Sequence, residues 1–393
     1  MFHCASARAV WVGLLSCVVT PVLAQEAFQL RELTAERHTI VQGGYFPRVV
    51  VLVNGDLLAT YKYGAPHIGK GGKAGVSRSS DGGVTWSKTE LLFDTPEADD
   101  GADASAAFAD GTVMFGFVSY TWKTERYSLE GWTANVHFMK SHDNGRTWEE
   151  PVKVDVAPYT WGYPFGTILR QEDGTLLMPG YGGYLPRLPE DDEEGLKKLL
   201  ADGKKPVKST EQHGMFSFVV RSRDDGKTWG DVTTIARRMN EVSLVRRRDG
   251  RLLAMMRADA GGFLAQSISR DPGGYHWSEP VRVTRTREHP ADLLRLRSGN
   301  LLLTFGQRNK PYGVQAMISR DEGGTWARAE RVMLAWDGDH SDLGYPVTVE
   351  RPDGKLVTLY YIVYGEADSE GTKGIAPDNA YTKAVIWSPP TGW

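Results

Sequence analysis

The sequence predicts an all-β chain folded as a six-bladed β-propeller with four-stranded antiparallel blades, and three observations lead there. A polar residue followed by glycine recurs six times, at Asn54-Gly55, Asp110-Gly111, Asp173-Gly174, Asp249-Gly250, Ser298-Gly299 and Asp353-Gly354, with spacings of 56, 63, 76, 49 and 55 residues. A second string, Ser-x-Asp-x-Gly-x-Thr-Trp, occupies 79–86, 141–148, 222–229 and 319–326; a fifth copy at 269–277 has one extra residue and Tyr275-His276 before its tryptophan. Both strings sit between short apolar, β-rich runs, such as 49–53 and 57–59 around the first turn.

Each repeat therefore reads as strand, tight turn, strand, variable loop, strand, Asp-containing turn, strand. The polar–Gly pair between two apolar runs is the signature of a two-residue hairpin. Units of this size at a regular period stack radially, because one small antiparallel sheet cannot bury both its faces alone. The sixth copy is incomplete: 383–388 matches a third strand, and the chain stops at Trp393. Its fourth strand is expected from the N-terminal side, around 28–41, an arrangement that ties first and last blades together and leaves no open sheet edge between them.

The composition suits such a fold. Charged residues are 24% and hydrophobic ones 41%, which excludes a disordered or collagen-like polymer. Lys and Arg number 46 against 49 Asp and Glu, giving a net charge of −3, so no basic surplus points to nucleic acid or anionic membrane as a partner. Residues 1–24 read as an export signal: Arg8 precedes an apolar run at 9–20, and Pro21-Val22-Leu23-Ala24 offers a small-residue cleavage site before Gln25. The propeller is then 25–393. The apolar run is too short to span a membrane, and no later stretch approaches the ~18 apolar residues needed. Both cysteines, Cys4 and Cys17, lie in the signal, so a processed chain, secreted or periplasmic, is expected to hold together without disulfides. Leu14-Leu15-Ser16-Cys17 offers a lipoprotein anchor as the alternative, against which the apolar run continues past Cys17.

The Ser-x-Asp-x-Gly-x-Thr-Trp strings resemble the Asp-box (BNR repeat) of the sialidase superfamily, and the resemblance covers nearly all of the chain after residue 24. Five acids and five tryptophans invite a metal-binding or sugar-binding reading. The structural one is stronger: Ser and Asp side chains bond backbone N–H groups within their own turn, Gly supplies an unusual φ, and Trp packs the hairpin down.

Strand direction then sorts the candidate site. Both repeated turns follow strands running away from the start of each repeat, so they share one face of the disc. The starts of the first strands and the ends of the second strands share the other. The first set contains Arg48, Asp103, Tyr163, Glu241, Asp292 and Tyr345; the second contains Tyr61, Tyr120, Tyr181, Arg257, Arg308 and Tyr361. Charge at such positions is costly unless paired or used, so the mouth of the central channel is the expected active site. The insertion at 184–213, acids first and lysines later, is read as a short helix on that face, either a rim over the site or a solvated loop.

Here the resemblance becomes specific. Asn240-Glu241-Val242-Ser243, followed by Asp249-Gly250 and Arg257, is similar to a sialidase strand–turn–Arg segment, and Gly344-Tyr345-Pro346 is similar to the segment bearing the nucleophilic tyrosine. That likeness implies that Tyr345 attacks the anomeric carbon and Glu241 accepts its proton, with Arg48, Arg257 and Arg308, from three blades, holding the substrate carboxylate. The chemistry is sound on its own: a carboxylate nucleophile would be repelled by a sugar carboxylate, whereas a neutral Tyr is not, and sialidases depart from the two-carboxylate scheme for this reason. Arginine makes paired, charge-assisted bonds to carboxylates.

The chain departs from the family pattern in three places. Arg48 follows the proline of Phe46-Pro47-Arg48 where sialidases have Arg-Ile-Pro; Arg308 lies eleven residues before Ser319; and the first-blade loop at 63–73 holds no acid to serve as acid/base. His67 in that loop and Asp103 on the neighbouring inner strand are the candidates for the missing proton donor. Tyr163 and Asp292 complete the expected substrate-binding set. His213, His289 and His340 fall near the same face without metal-ligand spacing, so no metal and no cofactor is expected. The partner is a carbohydrate, and no nucleic acid, membrane span or protein partner is foreseen. Three activities fit: an exported exo-glycoside hydrolase acting on a terminal, anionic sugar; a uronate-directed polysaccharide lyase using His and Tyr; and a glycan-binding propeller without turnover.

Overall fold

All six polar–Gly turns close the same hydrogen-bonded loop. In the first, Gly55 N–H donates to Leu52 O (2.9 Å) and Leu52 N–H donates to Asp56 O (2.8 Å), with Gly55 at φ +87°; the pattern repeats to Gly354 at φ +80°. The loop is three residues long, a β-turn closed by a glycine in the left-handed region, one residue longer than the two-residue hairpin expected. The extra residue forms a bulge whose added twist suits a blade.

This computed structural model describes residues 31–33, 35–124, 131–184, 215–365 and 379–393. The segment 1–24, read above as an export signal, and most of the 184–213 insertion, His213 included, lie outside them. The hairpins assemble into six antiparallel four-stranded blades, the first five of them simple meanders from inner to outer strand. Blade one is Tyr45–Val51, Leu57–Tyr63, Lys73–Ser79 and Glu90–Phe93; blade two is Asp99–Ala107, Val113–Thr121, Thr133–Ser141 and Val152–Lys153. Blade three is Trp161–Pro164, Leu176–Gly183, Phe216–Ser222 and Gly230–Arg237; blade four is Met239–Arg246, Leu252–Ala258, Leu264–Ile268 and Val281–Arg282. Blade five is Glu288–Arg295, Leu301–Gln307, Tyr312–Ser319 and Val332–Gly338. Blade six takes Leu343–Glu350, Leu356–Val363 and Ala380–Trp387 from the end of the chain, and its outer strand is Ala35–Gln42, antiparallel to Ala380–Trp387. The N-terminal strand thus closes the ring as the incomplete sixth repeat required. Arg31–Glu32 adds a short parallel strand outside Val332–Gly338, a pairing the repeat pattern does not announce.

The core lies between blades. Leu57, Ala59 and Tyr61 of blade one pack on Val357, Leu359 and Ala384 of blade six, and Leu253 and Met255 of blade four pack on Leu301, Leu303 and Phe305 of blade five. These inter-blade layers are the main stabilising contacts, at roughly 25 cal/mol per Å² of apolar surface buried.

The Asp-box turns are structural. Ser79 Oγ accepts from Gly83 N–H (2.8 Å) and donates to Asp81 Oδ1 (2.8 Å), Asp81 accepts from the Thr85 N–H and hydroxyl, and Trp86 Nε1 donates to Gly83 O (3.1 Å). The Ser and Asp bonds recur in the boxes of Ser141, Ser222 and Ser319. Hydrogen bonds from the turn hold the Asp81 and Asp224 carboxyls down at about 2. The Ser hydroxyls and Asp carboxylates of these four boxes bond within their own turns, while turn carbonyls such as Gly82 O and Gly323 O accept from neighbouring blades.

Candidate active site

Near its start, each of four inner strands carries a two-residue bulge that aims one side chain at the channel mouth. The register slips between Tyr45 and Arg48, Asn240 and Ser243, Glu288 and Ala291, and Gly344 and Val347. The first bulged residues are Phe46, Glu241, His289 and Tyr345. Phe46, Glu241 and Tyr345 sit at φ +52°, +35° and +48°. Left-handed backbone costs a non-glycine residue about 1–3 kcal/mol and persists where surrounding structure demands it, a pattern common at functional sites. A one-residue slip at Asp103 makes the blade-two counterpart.

Glu241 and Tyr345, from blades four and six, meet here. The Tyr345 hydroxyl donates to Glu241 Oε1, and Arg257 Nη1 donates to both Glu241 oxygens at 2.9 and 3.1 Å. Burial and the Glu241 charge push the Tyr345 phenol well above its ordinary range, with Arg257 and Arg308 pulling the other way. The hydroxyl thus rests protonated, with its base already in contact. Arg308 lies with its guanidinium carbon 5.8 Å from the centre of the Tyr345 ring; its Nε donates to Leu343 O (3.1 Å), and its buried Nη2 has no partner. The Arg257 Nε is buried and unpartnered as well. Buried donors without acceptors are costly, and both belong to the cations flanking Tyr345. A ligand carboxylate or hydroxyl is the natural acceptor.

Arg48 and Asp292 lie deeper. The bulge puts Phe46 at the level of Tyr345 and carries Arg48 past it, where Arg48 is 3% exposed and its Nη2 sits 3.4 Å from Asp292 Oδ1. Asp292 also accepts from Thr348 N–H (3.0 Å), so the pair ties blades one, five and six together below the mouth. Asp103 accepts from the Tyr163 hydroxyl, and burial pushes its carboxyl up to about 7. The Tyr163 ring stacks on Tyr181 at 5.1 Å and 13°. Trp132 lies 5.6 Å from Tyr120 and 5.4 Å from Trp161, extending this aromatic wall. His289 is buried among Arg308, Arg257 and Arg287; burial first, then those cations, push its imidazole far down, so it is neutral.

His67 is joined to Tyr345 through the Phe46 ring. Its Nδ1 is 3.0 Å from both oxygens of Asp342, which also accepts from the Tyr361 hydroxyl at 2.5 Å. Phe46 touches both rings, with ring centroids 4.8 Å from His67 and 4.7 Å from Tyr345. The His67 loop is clamped from beneath: Lys62 Nζ pairs with Asp99 and donates to His67 O (3.0 Å), while Asp99 accepts from Gly69 N–H (2.9 Å). Gly72 is fixed by the same clamp, since a Cβ there would fall 2.0 Å from Asp99 Oδ1.

The structure thus gathers Tyr345, Glu241, Arg257, Arg308 and His67 around one opening, sets Asp103 and Tyr163 on its side wall, and puts Arg48 with Asp292 below it. Sequence reasoning missed Asp342, Lys62 and Asp99. Asp342 lies three residues before Tyr345, and its position beside a candidate tyrosine was the one available signal. Among the described residues, no group of three His, Cys, Asp or Glu side chains is arranged to hold a metal ion.

The BNR repeat-like domain matches residues 109–358, well over half of the chain. The chain belongs to that family. A sialidase of Bacteroides fragilis is 24% identical over 293 residues, covering 66% of this chain and 49% of its own, so the BNR-domain chain spans about half the length of that curated relative. A Dyadobacter fermentans protein of unknown function superposes with a TM-score of 0.71 at 20% identity, covering 90% of this chain and 98% of its own. A Hadza microbial sialidase superposes with a TM-score of 0.62 at 20% identity, over 87% of this chain and 65% of its own. At such identities the superpositions establish the propeller fold that this BNR-repeat protein shares with them.

Proposed function

We propose that the protein is an exported, sialidase-like exo-glycoside hydrolase that cleaves a terminal anionic sugar. One observation carries the reading: the Tyr345 hydroxyl donates to Glu241, which Arg257 holds in turn. This is a nucleophile in contact with its base, with the base oriented by a third group. Tyr345 attacks the anomeric carbon as its proton passes to Glu241, and the unsatisfied N–H groups of Arg257 and Arg308 receive the sugar's carboxylate. Tyr345 is neutral until the moment of attack, so that carboxylate does not repel it.

Screening chromogenic α-sialosides beside uronides and neutral glycosides tests the substrate class, and turnover confined to neutral sugars would refute it. In Tyr345→Phe, kcat should fall by roughly 10³-fold or more while binding is retained; an unchanged kcat refutes the nucleophile. A second reading, a uronate lyase, is favoured by the His67–Asp342 contact, a base paired with an orienting acid. A lyase leaves a double bond in its product, so rising ultraviolet absorbance during turnover of a uronate polymer would decide for it.

A further inference from the structure

The loop from 64 to 72 is held more firmly than a decorative loop requires. Lys62 and Asp99 are each 2% exposed and bond the backbone on either side of His67, at His67 O and Gly69 N. Two further bonds, Gly71 N–H to Ala98 O (2.8 Å) and Asp100 N–H to Gly72 O (2.9 Å), pin its far end to blade two. The imidazole is then gripped from blade six by Asp342, itself 3% exposed. Burial would raise the Asp342 carboxyl, yet the His67 ring, Arg308 and the Tyr361 hydroxyl hold it down at about 2. Asp342 is therefore a carboxylate at any pH where the protein works. His67 Nε2 makes no hydrogen bond to any of the described residues, and the side chain is 21% exposed.

We propose that Asp342 is a positioning residue. It holds His67 by Nδ1–H so that Nε2, facing the mouth, is the group that passes protons to and from the glycosidic oxygen. The inference rests on the Tyr345 reading above. In the first step the Tyr345 oxygen bonds to the anomeric carbon, the phenolic proton goes to Glu241, and the bond to the leaving oxygen breaks as that oxygen takes the proton from His67 Nε2. In the second, water adds to the same carbon and gives its proton to His67 Nε2, while Tyr345 leaves and recovers its proton from Glu241. Sugar and alcohol are released, and His67, Glu241 and Tyr345 return to their starting states. Asp342 keeps its bond to Nδ1–H throughout, which fixes the tautomer.

The groups facing His67 from each neighbouring element are Asp342, Tyr361 and Tyr345 of blade six, Tyr45 and Lys62 of blade one, Asp99 of blade two and Arg308 of blade five. Asp342→Asn keeps the shape and removes the charge. Its test uses two glycosides of the sugar found by the screen, one with a dinitrophenol leaving group that departs unprotonated and one with an alkyl alcohol that cannot. For Asp342→Asn and for His67→Ala, kcat/KM should fall roughly 10²-fold or more on the alkyl glycoside and less than about tenfold on the dinitrophenyl one. In Asp342→Asn the alkaline fall of kcat/KM should move to lower pH, and Asp342→Glu should restore part of the loss. Equal losses on both substrates with an unmoved pH profile would overturn the proposal and leave Asp342 a structural acid. Tyr345→Phe separates the two claims: activity surviving in that variant defeats the nucleophile reading, whatever His67 does. A measurement free of substrate stands beside these. In ¹⁵N-histidine-labelled protein, neutral His67 should carry its proton on Nδ1, with that preference lost in Asp342→Asn; a wild-type ring protonated on Nε2 overturns the proposal.

Discussion

Replacing Lys62 by Met should destabilise the protein in a way that depends on pH, and the size can be worked from its contacts. Met keeps most of the apolar stem, so little packing is lost. Among the described residues, however, the ammonium is the only cation paired with Asp99, and it also donates to His67 O. Its removal strands a carboxylate that is 2% exposed with one remaining donor, Gly69 N–H. Breaking a buried pair by removing one partner costs about 3–5 kcal/mol, and the orphaned carbonyl adds about 1 kcal/mol. Burial already pushes Asp99 up and Lys62 down, each opposed by the other; without Lys62 the Asp99 carboxyl rises further. A carboxyl raised in the folded state binds protons that the unfolded chain has released. Stability therefore falls as pH climbs from the unfolded value toward the folded one, by about 1.4 kcal/mol per pH unit. The deficit of Lys62→Met should thus be larger near about pH 8 than near about pH 5, and Lys62→Met/Asp99→Asn should recover much of it. Urea unfolding at the two pH values, at constant ionic strength, reads this directly. A deficit independent of pH, or a double variant no better than the single one, would refute the stranded-charge argument.

Other outcomes follow from the same geometry. Ser79→Ala removes two bonds made by the buried Ser79 hydroxyl at the base of an Asp-box turn and should cost about 1–2 kcal/mol with kcat unchanged; a large change in turnover would give that turn a role beyond structure. Asp103 titrates near about 7 in the folded state because of burial, so Asp103→Asn should flatten the loss of stability as pH rises from about 4 to about 7, measured by thermal unfolding across that range. Arg257→Ala frees Glu241 from its cation and should slow anionic substrates more than neutral ones; equal losses would count against a carboxylate site. Deleting the strand Ala35–Gln42 exposes the edge of Ala380–Trp387 and should yield an aggregating protein, checked by light scattering.

Much of the site was legible because the two carrier segments keep the repeat's own register. Asn240-Glu241 and Gly344-Tyr345 each sit at the start of an inner strand, and radial stacking brings inner-strand starts together whatever the intervening length. Arg257 and Arg308, at second-strand ends, follow for the same reason. Arg48 shows the limit. One bulged residue decides whether a side chain faces the mouth or the buried channel, and the slip between Tyr45 and Arg48 places Phe46 at the mouth and Arg48 against Asp292. His67 was visible as a histidine in an acid-free loop, but its partner was not. Asp342 is 275 residues away in sequence, and only the closure of blade six beside blade one makes them neighbours.

The sequence by itself determined the period, the place of each turn and the ring closed by a borrowed strand, because the first two are local residue types repeated along the chain and the third follows from the incomplete sixth copy; the third residue of each turn it did not show. Tertiary structure alone decided which charges meet a carboxylate and which do not. Arg48, Arg257 and Arg308 are chemically identical, and their partners separate them: the first faces the buried Asp292 carboxylate, the second the Glu241 base and the third only a backbone carbonyl, Leu343 O, while each keeps one buried nitrogen without an acceptor. Electrostatic pairing acts through space across blades, at distances the order of residues along the chain does not record.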